Sequence, residues 1–298
     1  MLLQSNKIKL RLIVDAKALL GEGSIWHSLE NKLYWIDIDG KLLHIHDPVT
    51  NINEQHFLGS RIGTVVHVQS GGALVALQNG IHKIDTKTRE LTFMINPLND
   101  PAIRFNDGKC DPAGRFWVGT YALDGRKGVS VLYRFDPDGS IHTMLKNITT
   151  SNGIVWSADK KMMYYIDTPT QAVQGFDYDD ETGQISNGRV VVQIPKEEGA
   201  PDGMAIDNEG KLWIALWGGS AIARFDPLTG EMLNKINVPA PNVTSCAFGG
   251  KDLKTLYITT ARKSISEEEL KAFPLSGGLF AVEPGAQGVP THFFNGDI

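Results

Sequence analysis

Six times along the chain, a small or polar residue stands ahead of a Gly or turn and then a short aromatic or β-branched run. Glu22 precedes Leu33-Tyr34-Trp35-Ile36, Thr64 precedes Leu74-Val75-Ala76, and Asn106 precedes Phe116-Trp117-Val118. Asn152 precedes Met163-Tyr164-Tyr165-Ile166, Asp202 precedes Leu212-Trp213-Ile214, and Ser245 precedes Leu256-Tyr257-Ile258. Successive anchors are separated by 42, 42, 46, 50 and 43 residues, a period in the range of a four-stranded propeller blade. The pattern predicts an all-β fold: a six-bladed β-propeller with four-stranded blades, one domain over residues 1–298. The strand-like residues 9–14 have no partner in the first repeat. Pairing them with the final blade, where residues 278–282 and 291–294 read as strand-like, would close the ring and hide two edges. The one helix expected is 266–272, where Ser266-Glu267-Glu268-Glu269 puts acidic residues in a first turn, as an exterior insertion.

Equivalent positions of successive blades face one central axis, so the six anchors meet although they are remote in sequence. Glu22, Asn106, Asn152 and Asp202 carry oxygen donors, whereas Thr64 and Ser245 are small. Two carboxylates and two amides on one axis suit a hard cation such as Ca²⁺, Mg²⁺ or Mn²⁺, with Zn²⁺ also open. Asn106-Asp107-Gly108, Asn152-Gly153 and Asp202-Gly203 equally suit turns, the ordinary use of Asn, Asp and Gly in a β-rich chain. Asp136-Pro137-Asp138-Gly139, Asp226-Pro227-Leu228-Thr229-Gly230, 179–183 and 85–89 read as outer hairpins, which makes Asp136 and Asp226 structural. Gly72, Gly114 and Gly210 take the corresponding inner hairpins.

Composition narrows the partners. Hydrophobic residues make up 42% of the 298 and charged residues 21%, ordinary values for a globular protein. The net charge of −5 is joined by no stripe of Lys or Arg, which argues against a nucleic-acid partner. No apolar run approaches membrane-spanning length, and the polar residues among Met1 to Leu10 interrupt any signal-peptide core. Cys110 and Cys246 have no C-x-x-C spacing, so neither a disulfide framework nor a zinc knuckle is indicated. A cytoplasmic protein with a small-molecule ligand, no membrane and no obligate protein partner is the expectation.

Several segments together resemble the senescence marker protein, gluconolactonase and luciferin-regenerating enzyme family. They are Gly21-Glu22-Gly23-Ser24-Ile25-Trp26, Arg104-Phe105-Asn106-Asp107-Gly108-Lys109 with Asp111-Pro112-Ala113-Gly114-Arg115, Ser151-Asn152-Gly153-Ile154-Val155-Trp156-Ser157, Pro201-Asp202-Gly203-Met204 and Thr244-Ser245-Cys246-Ala247-Phe248-Gly249-Gly250. The resemblance runs in order over almost the whole length. It implies one divalent cation in the central channel, held by Glu22, Asn152 and Asp202, with Asp202 also giving and taking protons. It further implies that Arg104 and Asn106 hold a sugar lactone, which is hydrolysed to the aldonic acid. At Asp124 this chain departs from regucalcin-like members, which carry a substrate-contacting Glu there.

Hydrolysing a lactone requires charge on the carbonyl oxygen and a deprotonated water, and a divalent cation assists both. A calcium-binding regulatory protein with little turnover is the alternative, and so is an esterase acting on a non-sugar lactone, a luciferin-derived compound or an organophosphate. Asp107 suits either a supporting position beside the metal or a turn. Trp26, Trp156, Trp213 and Trp217 suit propeller core better than a sugar platform. His67 sits in an apolar run and reads as core or channel lining. His44 and His46, two apart on a strand, have metal-compatible spacing, but the adjacent Asp47-Pro48 points to an exposed outer hairpin.

Overall fold

The computed structural model describes residues 9–297, so the opening residues that argue against a signal peptide lie, up to residue 8, outside the described residues. After β1 (Arg11–Val14) come four antiparallel sheets of consecutive strands. The first is β2 (Gly21–His27), β3 (Lys32–Asp37), β4 (Leu42–Asp47) and β5 (Ile52–Phe57). The second is β6 (Ile62–His67), β7 (Ala73–Leu77), β8 (Gly80–Ile84) and β9 (Leu91–Ile95). The third is β10 (Ile103–Cys110), β11 (Phe116–Ala122), β12 (Ser130–Phe135) and β13 (Ile141–Ile148). The fourth is β14 (Ser151–Trp156), β15 (Met162–Asp167), β16 (Ala172–Tyr178) and β17 (Ile185–Gln193).

The remaining strands are β18 (Ala200–Ile206), β19 (Leu212–Trp217), β20 (Ala221–Phe225), β21 (Met232–Asn237), β22 (Asn242–Gly249), β23 (Thr255–Ala261) and β24 (Leu279–Val282). They join β1 in one eight-stranded sheet. Within it, β19 and β22 pair as strands only at Trp217–Asn242. The arrangement is propeller-like. β1 pairs antiparallel with β24, Leu12 opposite Phe280, as expected for a strand that covers the last edge.

The innermost strands β2, β6, β10, β14, β18 and β22 each contact the next, and β22 returns to β2. Every one of them breaks register at its anchor: Glu22 to Ile25, Ile62 to Thr64, Phe105 to Gly108, Ser151 to Ile154, Pro201 to Met204, and Val243 to Ser245. A bulge bends a strand and re-aims a side chain, and here it turns the anchors toward one another. Asn152-Gly153 and Asp202-Gly203 therefore lie inside strands, and the turn reading of these dipeptides is corrected. Their glycines answer to crowding. A Cβ on Gly153 would come 2.6 Å from Met204 Cβ, and one on Gly203 2.8 Å from Ser245 Cα, so neighbouring inner strands leave no room for a side chain.

The outer hairpins are as expected: Asp226 Oδ1 accepts the backbone N–H of Leu228, and Asp136 grips Arg134 through both carboxylate oxygens at 2.7 and 2.8 Å. The inner hairpins are pinned by buried aspartates. Asp111 accepts Arg115 Nε at 2.7 Å, Trp117 Nε1 at 2.8 Å and the Tyr178 hydroxyl at 2.8 Å. Asp207 does the same in β18–β19 for Trp213 Nε1 at 2.9 Å and Arg224 Nε at 2.8 Å. The helix α1 (Glu267–Ala272) buries no residue and carries a Ser266–Glu269 capping box.

Further expectations change. Residues 291–294 form no strand. Instead the C-terminal segment crosses the lower face: Gly288 N–H donates to Leu253 O, Phe294 N–H to His67 O and Asn295 N–H to Gly114 O. Phe294 is wholly buried, stacked on Phe135 at 5.4 Å. This strap and the lower ends of the inner strands line a cavity of about 80 Å³ that includes Lys109, Cys110, Trp156, Cys246, Val289 and His292. His44 and His46 are buried rather than in an exposed hairpin, His44 stacked on Trp35 at 3.8 Å, because the turn begins only at Asp47. His67 is core, packed against His27 and Phe293 at 4.3 and 5.1 Å. Trp26, Trp156 and Trp213 are core as expected, whereas Trp217 is only partly buried. Both cysteines are free and buried, and burial pushes both thiols up, Cys246 to about 12.

Candidate active site

Four of the anchor side chains and one neighbour are buried together above the strapped cavity. Arg104 Nη1 donates to Asn106 Oδ1 at 2.6 Å and to Phe105 O at 2.8 Å. Asn106 Nδ2 donates to Ser151 O at 2.7 Å and to Asn152 Oδ1 at 3.1 Å. The Glu22 and Asp202 carboxyls are close enough to perturb each other's ionisation, and Glu22 Oε2 accepts the backbone N–H of Gly23 at 3.0 Å. All five residues are buried. Thr64 and Ser245, the small anchors, fill their places with short hydroxyls: Thr64 donates to Gly108 O at 3.0 Å, and Ser245 Oγ lies 3.2 Å from Ser24 Oγ.

Electrostatics make this a site for positive charge. Burial, then the charge of Asp107, push Glu22 up to about 8, against the help of the Gly23 N–H and Arg104. Burial and the charges of Glu22 and Asp107 raise Asp202 well above the carboxylate range. Burial raises Asp107 too, and its Oδ2 has no hydrogen-bond partner among the described residues. Glu22, Asp107 and Asp202 are thus three buried carboxyls, and the charge of Asp107 bears on both of the others. Burial lowers Arg104 to about 10, which leaves it protonated at neutral pH, and Lys109 opposes the rise at Asp107. A divalent cation beside them would favour the ionised forms and offset the repulsion. Among the described residues no cluster of three or more His, Cys, Asp or Glu presents a ready metal cage; the donor set is mixed, two carboxylates with the Asn152 amide. Oxygen donors of this kind suit a hard cation.

A comparison with protein families matches residues 20–262 to the SMP-30/Gluconolactonase/LRE-like region. The chain belongs to this family. YvrE of Bacillus subtilis, whose name places it among sugar lactone lactonases, is 40% identical over 96% of this chain and 99% of its own. Regucalcin of Danio rerio is 38% identical over 98% of this chain and all of its own. Among solved structures, a regucalcin from Agrobacterium tumefaciens described as a calcium-binding protein is 26% identical, with a TM-score of 0.92 over 97% of this chain and 98% of its own.

Not every residue singled out in this family member joins the network. Asp124 follows β11 on the face where the inner strands begin and pairs with Arg126 Nε at 2.7 Å; Arg126 also holds Asp100 at 2.6 Å. Other residues matter that the repeat did not signal. Asn152 Nδ2 donates to Thr168 Oγ1 at 2.7 Å, and Thr168 Oγ1 donates on to Pro201 O at 2.8 Å, which turns the Asn152 oxygen toward the centre. Lys109, below Asp107, donates to Met204 O across the axis. Thr168 lies just past β15, outside the anchor pattern, so only its place after Asp167 marks it. Lys109 sits in the segment that carries the family resemblance, yet nothing in its residue type separates it from a surface lysine.

Proposed function

We propose that the chain is a divalent-metal-dependent lactonase that hydrolyses aldonolactones of the gluconolactone kind to aldonic acids. Counting the eight-stranded sheet as two blades divided at Trp217–Asn242, it is one six-bladed propeller domain, and free buried thiols suit a reducing cytoplasm. The observation that carries the reading is the juxtaposition of mutually repelling buried carboxyls, Glu22 and Asp202, with the Arg104–Asn106–Asn152 chain of hydrogen bonds. Glu22, Asn152 and Asp202 are the protein ligands in this reading. Ca²⁺, Zn²⁺, Mn²⁺ or Mg²⁺ bound there would polarise the lactone carbonyl and acidify water. Asp202 accepts the proton of the attacking water and returns one to the departing ring oxygen, so that lactone plus water becomes the open hydroxy acid. Asn106 and Arg104 orient the sugar. Arg104 Nε, buried and without a partner among the described residues, is the donor left over for a substrate oxygen. Asp124 acts at the rim.

The regucalcin relatives keep a second reading in view, ion binding with little turnover. Ion binding alone gives no reason to hold Arg104 against a burial cost at the centre, and that favours catalysis.

Chelation followed by reconstitution with single metals, assayed on a panel of lactones, a non-sugar ester and an organophosphate, tests the reading. Activity should vanish with the metal and return for lactones; a protein that binds metal yet turns over nothing supports the second reading. The metal-free protein has a pH signature of its own. A carboxyl raised from 4.5 to about 8 is protonated in the folded state while ionised in the unfolded state. The folded state then binds more protons, and stability falls as pH rises through that window. Metal-free melting temperature should therefore drop between about pH 5 and 8, and metal affinity should rise over the same range as protons are displaced.

Arg104→Ala should leave metal content nearly unchanged, since a guanidinium is no cation ligand, and lower kcat/KM by about a hundredfold, the usual effect of losing one strong donor to developing charge. Elemental analysis beside steady-state kinetics checks it. Release of the metal by this substitution would contradict the division of roles.

A further inference from the structure

The face opposite the strap is the one on which the inner strands begin. On that face Asp39, in the loop after β3, accepts Arg61 Nε and Lys263 Nζ, both at 2.8 Å. The three residues come from different sheets: Arg61 directly precedes β6 and Lys263 follows β23. Burial would push the Asp39 carboxyl up, but the hydrogen bonds from Lys263 and Arg61 and the nearby charge of Arg104 hold it below the usual range. Arg104 feels the charges of both Asp39 and Arg61.

Two cations thus share one carboxylate, with the charge of Arg104 nearby. Arg61 and Lys263 are each 38% exposed, and Arg61 Nη1 also donates to Gln78 Oε1 at 3.3 Å. On the same face the trio Asp100–Arg126–Asp124 has the opposite balance, two carboxylates to one guanidinium. The rim is therefore polarised. A clamp that only tied sheets together would need no surplus cation, and a surplus of positive charge at a surface attracts and orients an anion. A neutral lactone leaves that surplus unmatched.

We infer that the site selects lactones carrying a second, anionic group, a terminal carboxylate or phosphate, held by Arg61 and Lys263 while the lactone end lies at Arg104 and Asn106. This rests on the lactonase reading for its substrate and on the rim alone for its charge preference. An anion held at the rim also stays clear of the three carboxyls at the centre.

The test measures kcat/KM of the metal-loaded protein for D-gluconolactone, D-glucarolactone and 6-phosphogluconolactone. The anionic lactones should be favoured by about tenfold or more, the worth of a charge-assisted hydrogen bond at a partly exposed site. The preference should shrink as salt rises from about 0.05 to 0.5 M. Preference for glucarolactone alone or phosphogluconolactone alone supports the inference and identifies the anion. Lys263→Gln with Arg61→Gln should bring the ratio of anionic to neutral kcat/KM close to one. Lys263→Gln alone, which keeps the Asp39–Arg61 pair, should lower it severalfold if the double variant does not fold. Neutral lactone favoured equally or more, or a ratio unmoved in both variants, overturns the inference. If no lactone is hydrolysed, calorimetry with gluconate, glucarate and 6-phosphogluconate separates the two ideas. Tighter binding of the ligands with the extra anion, lost in the variants, retains the charge preference while the lactonase reading fails; equal binding rejects it.

Discussion

Asp202→Asn is expected to lower lactone hydrolysis by about a thousandfold or more, because the substitution removes a proton acceptor and a charged metal ligand together. General acid–base catalysis by one positioned group contributes on the order of 10² to 10⁴, and a weaker hold on the cation adds to the loss. The amide keeps the shape of the carboxyl, so packing beside Gly203 and Glu22 is little disturbed. Metal content by elemental analysis should fall below that of the unaltered protein under equal loading. The metal-free variant should be at least as resistant to heat as the metal-free parent, since one of three mutually repelling buried carboxyls has gone. An active site that lowers stability for function leaves this mark when it is neutralised. Equal metal content and activity within tenfold would remove Asp202 from both roles, whereas lost activity with a lowered melting temperature would point to a structural part.

Much of this site was legible in the chain because a propeller converts sequence period into spatial convergence. Glu22, Asn106, Asn152 and Asp202 could be paired off by spacing, and the bulge common to all six inner strands is the device that makes spacing sufficient. Asn-Gly and Asp-Gly looked like turns because the same dipeptides serve two different needs. In a hairpin they supply positive φ; at Gly153 and Gly203 they supply the absence of a side chain where strands nearly collide. Local pattern cannot separate these, since the collision is with a strand some fifty residues away. The strap was missed for a related reason: residues 291–294 have strand-like composition, but the partners of Phe294 are backbone groups near His67 and a ring at Phe135, on two other sheets. The polarised rim was equally hidden, because Asp39, Arg61 and Lys263 occupy three different repeats at positions that are not equivalent.

The largest effect on stability is expected at Asp111, far from the reacting groups. Its carboxylate is wholly buried and accepts from the Arg115 guanidinium, the Trp117 indole and the Tyr178 hydroxyl, besides the backbone N–H groups of Ala113 and Arg115. Arg115 goes on to Tyr178 Oη and Asp180 O, both at 2.7 Å, so one carboxylate joins the inner hairpin of β10–β11 to the outer hairpin of β16–β17. Asp111→Ala would leave a buried guanidinium without its carboxylate and four further donors without this acceptor. Breaking a buried pair from one side costs about 3 to 5 kcal/mol, far more than the pair itself contributes, because the remaining charge is stranded in low dielectric. Asp111→Asn, which keeps the shape and one oxygen acceptor, should cost less, and the difference between the two variants isolates the charge. Equilibrium denaturation in urea measures both. The Asp207→Ala variant should fall between them: Asp207 makes the corresponding bonds to Trp213 and Arg224, but Arg224 also holds the exposed Glu209 at 2.7 Å and retains that partner. A loss at Asp111 of under about 1 kcal/mol, the range of an exposed ion pair, would mean that water reaches Arg115 and that the two sheets are held together by packing instead.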